Sequence, residues 1–557
     1  MPADSHGSAE WGNPAEWAEV LRQPPTALLC GAFAFADVGW RPVRMPTWPT
    51  GHNVLVLGPP RSGKGARFFM PNLLAAPANP YPPNIIVMDP KSEFLATTWW
   101  YFQQHGYDVF NIDFTNPAQS TAFEPLFFSG GREALTDADI ETLSLAMVPR
   151  TPEKEPFWQN MTRTICQVAI GAAAQAPDAD EFSSRGPSLL DVMAIVGHLL
   201  RDRAIQQAVA KRLADNGWLA ASWAMIANIA KSEGNLANNV SADLLARLAP
   251  LMRREILQVA AGYHETIPAP EWDLLLRHAR RPWIIYIAAS PAAYPPIRLA
   301  LSSLLLVLRR IQASENHLQR PLWLLLDEFA NIGQMPEMVE AATILPGLGV
   351  SLVMGLQAVG QLEHLYGKGD ADALLDAAHL WLAFPGLGPE SAKRVSDRAG
   401  QTTVYTQSFG TSSSGGQGGS GSSHNLSASG RSLILPDEVS RLGKDQVLAH
   451  KSGYNAVILR SVAYYEQIDP AWQHAARIAH PDDPLIALSL ADWRDALQQA
   501  GCTLRPPPAN LKAHALRVLG AAEPDKPANP DQDQGQASPS IDDLDKLFQQ
   551  GRKEASQ

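Results

Sequence analysis

The residues with the clearest chemical potential are Gly58-Pro59-Pro60-Arg61-Ser62-Gly63-Lys64-Gly65. They follow a short apolar run, Asn53 to Leu57, and read G-x-x-x-x-G-K, the pattern of a phosphate loop. Small residues let successive backbone N–H groups curve round an anion, and a helix starting behind them adds its positive end. Lys64 is expected to reach the terminal phosphates. The next position is Gly65, where a Ser or Thr hydroxyl would hold Mg²⁺ in the common form of the motif. Alone, the same letters also describe a glycine turn at a strand end.

A second group lies far downstream. Leu324 to Leu326 leads into Asp327 and Glu328. An apolar strand ending in two carboxylates suits Asp327 to a metal ion, directly or through water, and Glu328 to the proton of an attacking water. An acidic pair capping a strand is common by itself, but a phosphate loop upstream in the same pattern changes its meaning. Gln357 ends the next apolar run. It reads either as a γ-phosphate sensor that orients water or as a polar strand terminus. Lys393 and Arg394 open a helix and read either as a charge supplied across a subunit boundary or as solvated surface. Asp89-Pro90-Lys91-Ser92-Glu93 either faces the same edge or forms a strand-end turn.

These groups need a scaffold. From residue 53 onward short apolar runs alternate with helical segments: Asn53–Leu57, Asn84–Asp89 and Asp108–Asp113, then Trp283–Ala288, Trp323–Leu326, Ser351–Gln357 and Leu380–Phe384. That alternation predicts an α/β fold with a mostly parallel sheet covered on both faces. Strand ends would then share the edge where open α/β sheets bind ligands. Between about 131 and 275 the pattern changes to apolar residues at three- and four-residue spacing, which predicts an inserted all-α domain. The expected domains are a Trp-rich N-terminal segment (1–50) packing on a nucleotide-binding domain (51–130 and 276–470), and the helical insertion (131–275). A flexible Gly/Ser loop is expected over 408–430, and a Pro-rich, acidic, disordered extension over 471–557.

The 557 residues are 45% hydrophobic, enough for more than one core. Lys plus Arg number 45 against 56 Asp plus Glu, a net charge of −11, so no global basic field marks a nucleic-acid binder. Local basic clusters, Arg253-Arg254 and Arg277-His278-Ala279-Arg280-Arg281, line a DNA channel or are simply solvated. Cys30, Cys166 and Cys502 are widely spaced and read as buried apolar fillers. No apolar stretch is long enough to cross a bilayer.

The motifs together resemble the TraG/TraD-type coupling proteins of type IV secretion and conjugation, within the FtsK/HerA-like P-loop ATPases. The resemblance rests on Gly58 to Gly65, Met70-Pro71-Asn72-Leu73-Leu74, Asp89 to Glu93, and Leu326-Asp327-Glu328-Phe329-Ala330. Pro156-Phe157-Trp158, Ser391 to Ser396, Leu435 to Val439 and Tyr464-Tyr465 extend it, as does His6 to Trp11 at the start. It implies a RecA-like ATPase using ATP and Mg²⁺, active as a homo-hexamer, with the all-α domain receiving substrate. The implied partners are single-stranded or duplex DNA, a relaxase or effector proteins, and channel components at the bacterial inner membrane. The family's N-terminal membrane helices have no counterpart here, so attachment through partners at the cytoplasmic face is expected. In one branch Gly-Lys-Gly stands in the loop, and Gly65 fits that branch. Two other readings are a nucleotide-binding recruitment platform with little turnover and an FtsK-like DNA translocase.

Overall fold

A computed structural model describes residues 7–13, 17, 27–35, 39–126, 135–150, 156–175, 188–231, 236–260, 272, 274–288, 290, 293–314, 317–412, 421–466, 484–499, 504 and 507–521. Its strands are β1 (Ala27–Phe35), β2 (Gly39–Pro46), β3 (Val54–Leu57), β4 (Asn84–Met88), β5 (Asp108–Ile112), β6 (Trp283–Ile287) and β7 (Leu322–Leu326). They continue as β8 (Val350–Leu356), β9 (Leu380–Ala383), β10 (Gln401–Ser412), β11 (Gly421–Ser432), β12 (Gln446–Lys451) and β13 (Val457–Arg460). The chain divides into two compact units: Met1–Pro83, Trp323–Phe329 and Gly349–Ala476 form one, and Asn84–Leu322, Ala330–Leu348 and Arg477–Gln557 the other.

In the first unit the strands run in the order β2-β1-β13-β12-β9-β3-β8-β7. β3 lies parallel between β8 and β9, with Leu57 opposite both Leu356 and Ala383. Every residue of β3, β8 and β9 is buried, as expected for strands covered on both faces. That shared register brings the C-terminal ends of three strands level, so that Gly58, Gln357 and Phe384, the residues that follow them, stand at one edge. The other side of this sheet is antiparallel, built from β9-β12, β12-β13, β13-β1 and β1-β2. Gly453, at a φ of 81°, makes the tight turn between β12 and β13 that such pairing requires.

Residues 27–46 form a hairpin that no periodicity announced. Asn72 pins it: Leu29 N–H donates to Asn72 Oδ1 at 2.6 Å, and Asn72 Nδ2 returns a bond to Leu29 O at 2.9 Å. Trp17 is buried and donates to Asn455 O at 3.1 Å, whereas Trp11 stays 42% exposed.

The expected flexible loop at 408–430 is a correction. Residues 408–412 and 421–430 belong to β10 and β11, paired without a break from Gln401↔Ser432 to Ser412↔Gly421. Thr402, Thr403, Val404, Tyr405 and Thr406 start the ladder with strand-favouring side chains. Beyond them the backbone bonds of the ladder need no particular side chain, so a Gly/Ser composition does not stop it. Residues 413–420 lie outside the described ones.

The second unit has β6 between β4 and β5, all parallel, surrounded by helices. Helix starts follow the local chemistry. Thr136 and Asp139 form a reciprocal capping box for Asp137–Met147, and Ser188 and Asp191 form one for Leu189–Leu199. The helix Tyr294–Ala313 is buried along most of its length. Its Arg298 is 7% exposed and donates to Ala146 O at 2.7 Å and Ile332 O at 3.1 Å. Contacts therefore group β4, β5 and β6 with the helices, where the sequence pattern placed the boundary at the helical insertion alone.

The C-terminal extension is also a correction in part. Pro484–Gln499 and Leu511–Val518 are helices. Trp493 is buried and donates to Gln119 O at 2.9 Å, while Trp99 donates to Ser489 Oγ at 3.0 Å. His514 meets Asp191 at 2.7 Å and Lys512 meets Asp202 at 2.6 Å. Apolar anchors spaced along a polar, Pro-containing stretch carry these helices. Cys30 and Cys166 are buried, their thiols pushed up to about 12 by desolvation, which fits their reading as fillers. Cys502 and the acidic stretch 541–548 lie outside the described residues.

Candidate active site

The phosphate loop starts where β3 ends. Gly58 N–H donates to Leu356 O at 3.0 Å, which ties the loop to the end of β8. Gly58 has no room for a side chain, since a Cβ there would run into Ser62 Oγ and lie 2.9 Å from Phe384 Cβ. Gly63 has a φ of 100° and Arg61 one of 65°, so the loop turns through left-handed backbone twice. Pro59 packs beside Gly386, where a Cβ would come within 3.2 Å of its ring; Pro60 and Arg61 are exposed. Behind the loop a helix begins at once. Gly65–Phe69 forms a wide five-residue π turn that continues into Met70–Ala75. Arg67 N–H closes the first turn on Gly63 O at 2.8 Å.

Lys64 is 8% exposed. Its ammonium donates to Gly58 O, with Pro59 O at 3.5 Å. Burial holds its pKa below the usual lysine value, opposed by the charges of Asp327 and Glu328. The loop and the carboxylates at the end of β7 are thus electrostatic neighbours, as the motif spacing required. Glu328 has a φ of 60°, a strained conformation for a long side chain, and its N–H donates to Asp327 Oδ1 at 3.1 Å. Gln357 Nε2 donates to Glu328 Oε1 at 3.2 Å. Gln361 Oε1 accepts from the N–H groups of Gln357 and Ala358 at 3.0 and 3.2 Å, fixing the turn that presents Gln357.

Ser62 Oγ is buried with no hydrogen-bond partner, at the floor of the same cradle. An unpaired buried hydroxyl, a buried ammonium and a loop too tight for side chains fit a polyphosphate. Among the described residues no three His, Cys, Asp or Glu side chains gather to hold a metal ion. Asp327 beside a phosphate site fits Mg²⁺, which takes one or two carboxylates and completes its shell from phosphates and water.

Arg394 and Asp89 are each held by partners of their own. Arg394 is engaged within its own chain, donating to Asp372 Oδ1 at 3.0 Å and to Glu363. Its pKa is raised, first by the hydrogen bond it donates to Asp372. Asp89 turns inward to cap the helix Glu93–Gln104, accepting from Glu93 N–H at 2.9 Å and Leu95 N–H at 2.8 Å. Burial pushes its pKa up to about 7. Of the basic clusters, Arg281 lies 3.8 Å from Asp108.

Sequence reasoning missed Gly355. A Cβ there would lie 2.8 Å from Asp327 Oδ1 and 3.0 Å from Asp327 Cα, so β8 passes the carboxylate strand at glycine distance. A lone glycine inside the apolar run Val350–Leu356 was the available signal, because such a glycine marks close backbone approach.

A family model described as Type IV secretory system Conjugative DNA transfer matches residues 27–192 and 276–492. The conjugal transfer protein TraG of Rhizobium radiobacter is 35% identical over 130 residues, 23% of this chain and 20% of that protein. Its similarity therefore spans about a fifth of the relative's length. The conjugal transfer protein TraG of Escherichia coli is 23% identical over 483 residues, 79% of this chain and 71% of that protein. The solved structure of the plasmid coupling protein TrwB in complex with ADP and Mg²⁺ superposes with a TM-score of 0.55 over 84% of this chain and 98% of that one, at 16% identity. At that identity the likeness carries the RecA-like fold and nothing further. No helix among the described residues is long and apolar enough to cross a membrane. With the family model covering more than half of the residues, the chain belongs to the type IV secretory system conjugative DNA transfer family.

Proposed function

We propose that this chain is the ATP-hydrolysing coupling protein of a conjugation or type IV secretion channel. The observation that carries the proposal is the phosphate loop with its buried Lys64 at the end of β3, together with the hydrogen bond from Gln357 at the end of β8 to Glu328 at the end of β7. The loop from Gly58 to Gly65 would cradle the phosphates of ATP, with Lys64 leaving its loop carbonyls for the terminal phosphates. Asp327 would hold Mg²⁺, which supplies charge neutralisation at the phosphates when bound. Glu328 would take the proton of the attacking water, and Gln357 would hold that carboxylate in line. Catalysis of this kind is positioning plus electrostatics, and a side chain already held by its neighbours serves both.

The residues bound by the second unit's helices, 131–275, would receive substrate: single-stranded or duplex DNA with its relaxase, or effector proteins. Family membership supports this reading, and the relative solved with ADP and Mg²⁺ supports the cofactor pair. A homo-hexamer at the cytoplasmic face of the inner membrane, attached through channel partners, would complete the motor, with Arg394 as the candidate charge across a subunit boundary.

Steady-state ATPase assays with and without single-stranded or duplex DNA test the proposal, comparing the native chain with Lys64→Ala and Glu328→Gln. DNA-stimulated turnover lost in both variants is expected. Gly65 motivates a second reading, a nucleotide-binding recruitment platform, because the loop lacks the metal-holding hydroxyl. Tight nucleotide binding with no turnover above that of Glu328→Gln would favour the platform.

A further inference from the structure

One residue of the loop region has a task the chemistry above leaves unexplained. Arg67, in the first turn behind the phosphate loop, donates to Ser461 O at 2.6 Å and to Glu466 Oε1 at 2.9 Å. Its side chain is 13% exposed, and its guanidinium is engaged by a carbonyl and a carboxylate. It therefore reaches across 394 and 399 positions of sequence to fasten the turn Tyr464–Glu466 beside the loop. In that turn Tyr464 is buried, and Tyr465 stands edge-to-face on it with ring centroids 5.3 Å apart. Tyr465 is 51% exposed, a flat ring standing half in solvent on a rigid base.

A nucleoside triphosphate held by its phosphates projects its base away from the loop, and that base needs a flat apolar surface. We propose that Tyr465 is the stacking platform for the purine of the bound nucleoside triphosphate, and that the Arg67–Glu466 pair is its positioning clamp. The inference rests on the nucleotide reading above. A purine offers the larger π face, and stacking on an aromatic ring does not depend on the groups at the base edge. The platform therefore selects purine over pyrimidine without choosing between adenine and guanine.

Equilibrium binding of ATP and of inorganic tripolyphosphate to the full chain, with Mg²⁺, separates base from phosphate. Tyr465→Ala is expected to bind ATP roughly tenfold more weakly, within the range of base–aromatic stacking, and tripolyphosphate as the native chain does. Tyr465→Phe keeps native affinity for both. Glu466→Ala frees the turn and weakens ATP by a smaller factor, again sparing tripolyphosphate. Tyr465→Trp adds a fluorescence change that ATP produces and tripolyphosphate does not. If the native chain binds both ligands and Tyr465→Ala matches it, the platform is wrong and the nucleotide reading stands. If the native chain binds neither, the nucleotide reading falls and the platform with it.

Discussion

Replacing Gly355 by alanine tests the geometry of the carboxylate pair most directly. The added Cβ would lie 3.0 Å from Asp327 Cα, against an ordinary contact of 3.4 Å or more, so the two strands must separate by at least 0.4 Å at that point. Asp327 Oδ1, at 2.8 Å, cannot turn away freely because it accepts the Glu328 N–H. Overpacking of a buried strand pair costs about 1–3 kcal/mol. The displacement falls first on Asp327 and Glu328, which the added Cβ meets directly, and reaches the loop only through the bond from Gly58 N–H to Leu356 O. Catalytic groups misplaced by about 1 Å lose about a hundredfold. Half that displacement should lower kcat about 10-fold, or about 1.4 kcal/mol of barrier, with ATP affinity within about threefold of native. Single-turnover ATPase and nucleotide binding, measured on the same preparation with its melting temperature, check this. Native turnover in Gly355→Ala would refute the claim that β7 and β8 set the carboxylates by close backbone approach.

Other outcomes follow from separate parts of the molecule. Gly65→Ser supplies a hydroxyl at the loop, and the Mg²⁺ concentration for half-maximal turnover should fall severalfold; an unchanged requirement would place the metal away from residue 65. Asp89 has a folded pKa of about 7 against 3.8 in its ordinary state. The folded chain therefore keeps a proton that the unfolded chain releases, and stability present below pH ~4 is lost as pH rises towards ~7. The span is at most about 4 kcal/mol. Urea midpoints of native and Asp89→Asn chains should converge or cross over that interval and run parallel above it. Trp493→Ala removes a buried indole and its bond to Gln119, costing about 3–5 kcal/mol locally. Limited proteolysis should then cut within 484–499, which the native chain protects.

The sequence disclosed the parts of this fold whose side chains decide their own structure. β3, β7 and β8 are apolar runs that stop at a glycine, an acidic pair and a glutamine, so both their burial and their ends were legible. β1 and β2 were not, because Ala27–Phe35 is rich in Ala and β2 contains Pro42 and Pro46. Proline is tolerated in an outermost strand, where β2 stands, and the strand identity of this hairpin comes from pairing with β13 at the far end of the chain. The same holds for the site. Which residues are candidates for chemistry could be read from their order. Which ones hold them, such as Gln361 behind Gln357 or Arg67 behind the loop, depends on contacts between distant segments. Arg394 belongs with these, since its type could be read from the sequence and its ion pairs with Asp372 and Glu363 could not.

The short stretch Trp323–Phe329 belongs to the first compact unit, yet the residues on either side of it, up to Leu322 and from Ala330, belong to the second. Asp327 and Glu328 therefore lie on a short excursion of the chain into the first unit, entered at Trp323 and left after Phe329. Both carboxylates owe their place to strand pairing within that unit, because the chain on either side of them belongs to a different core.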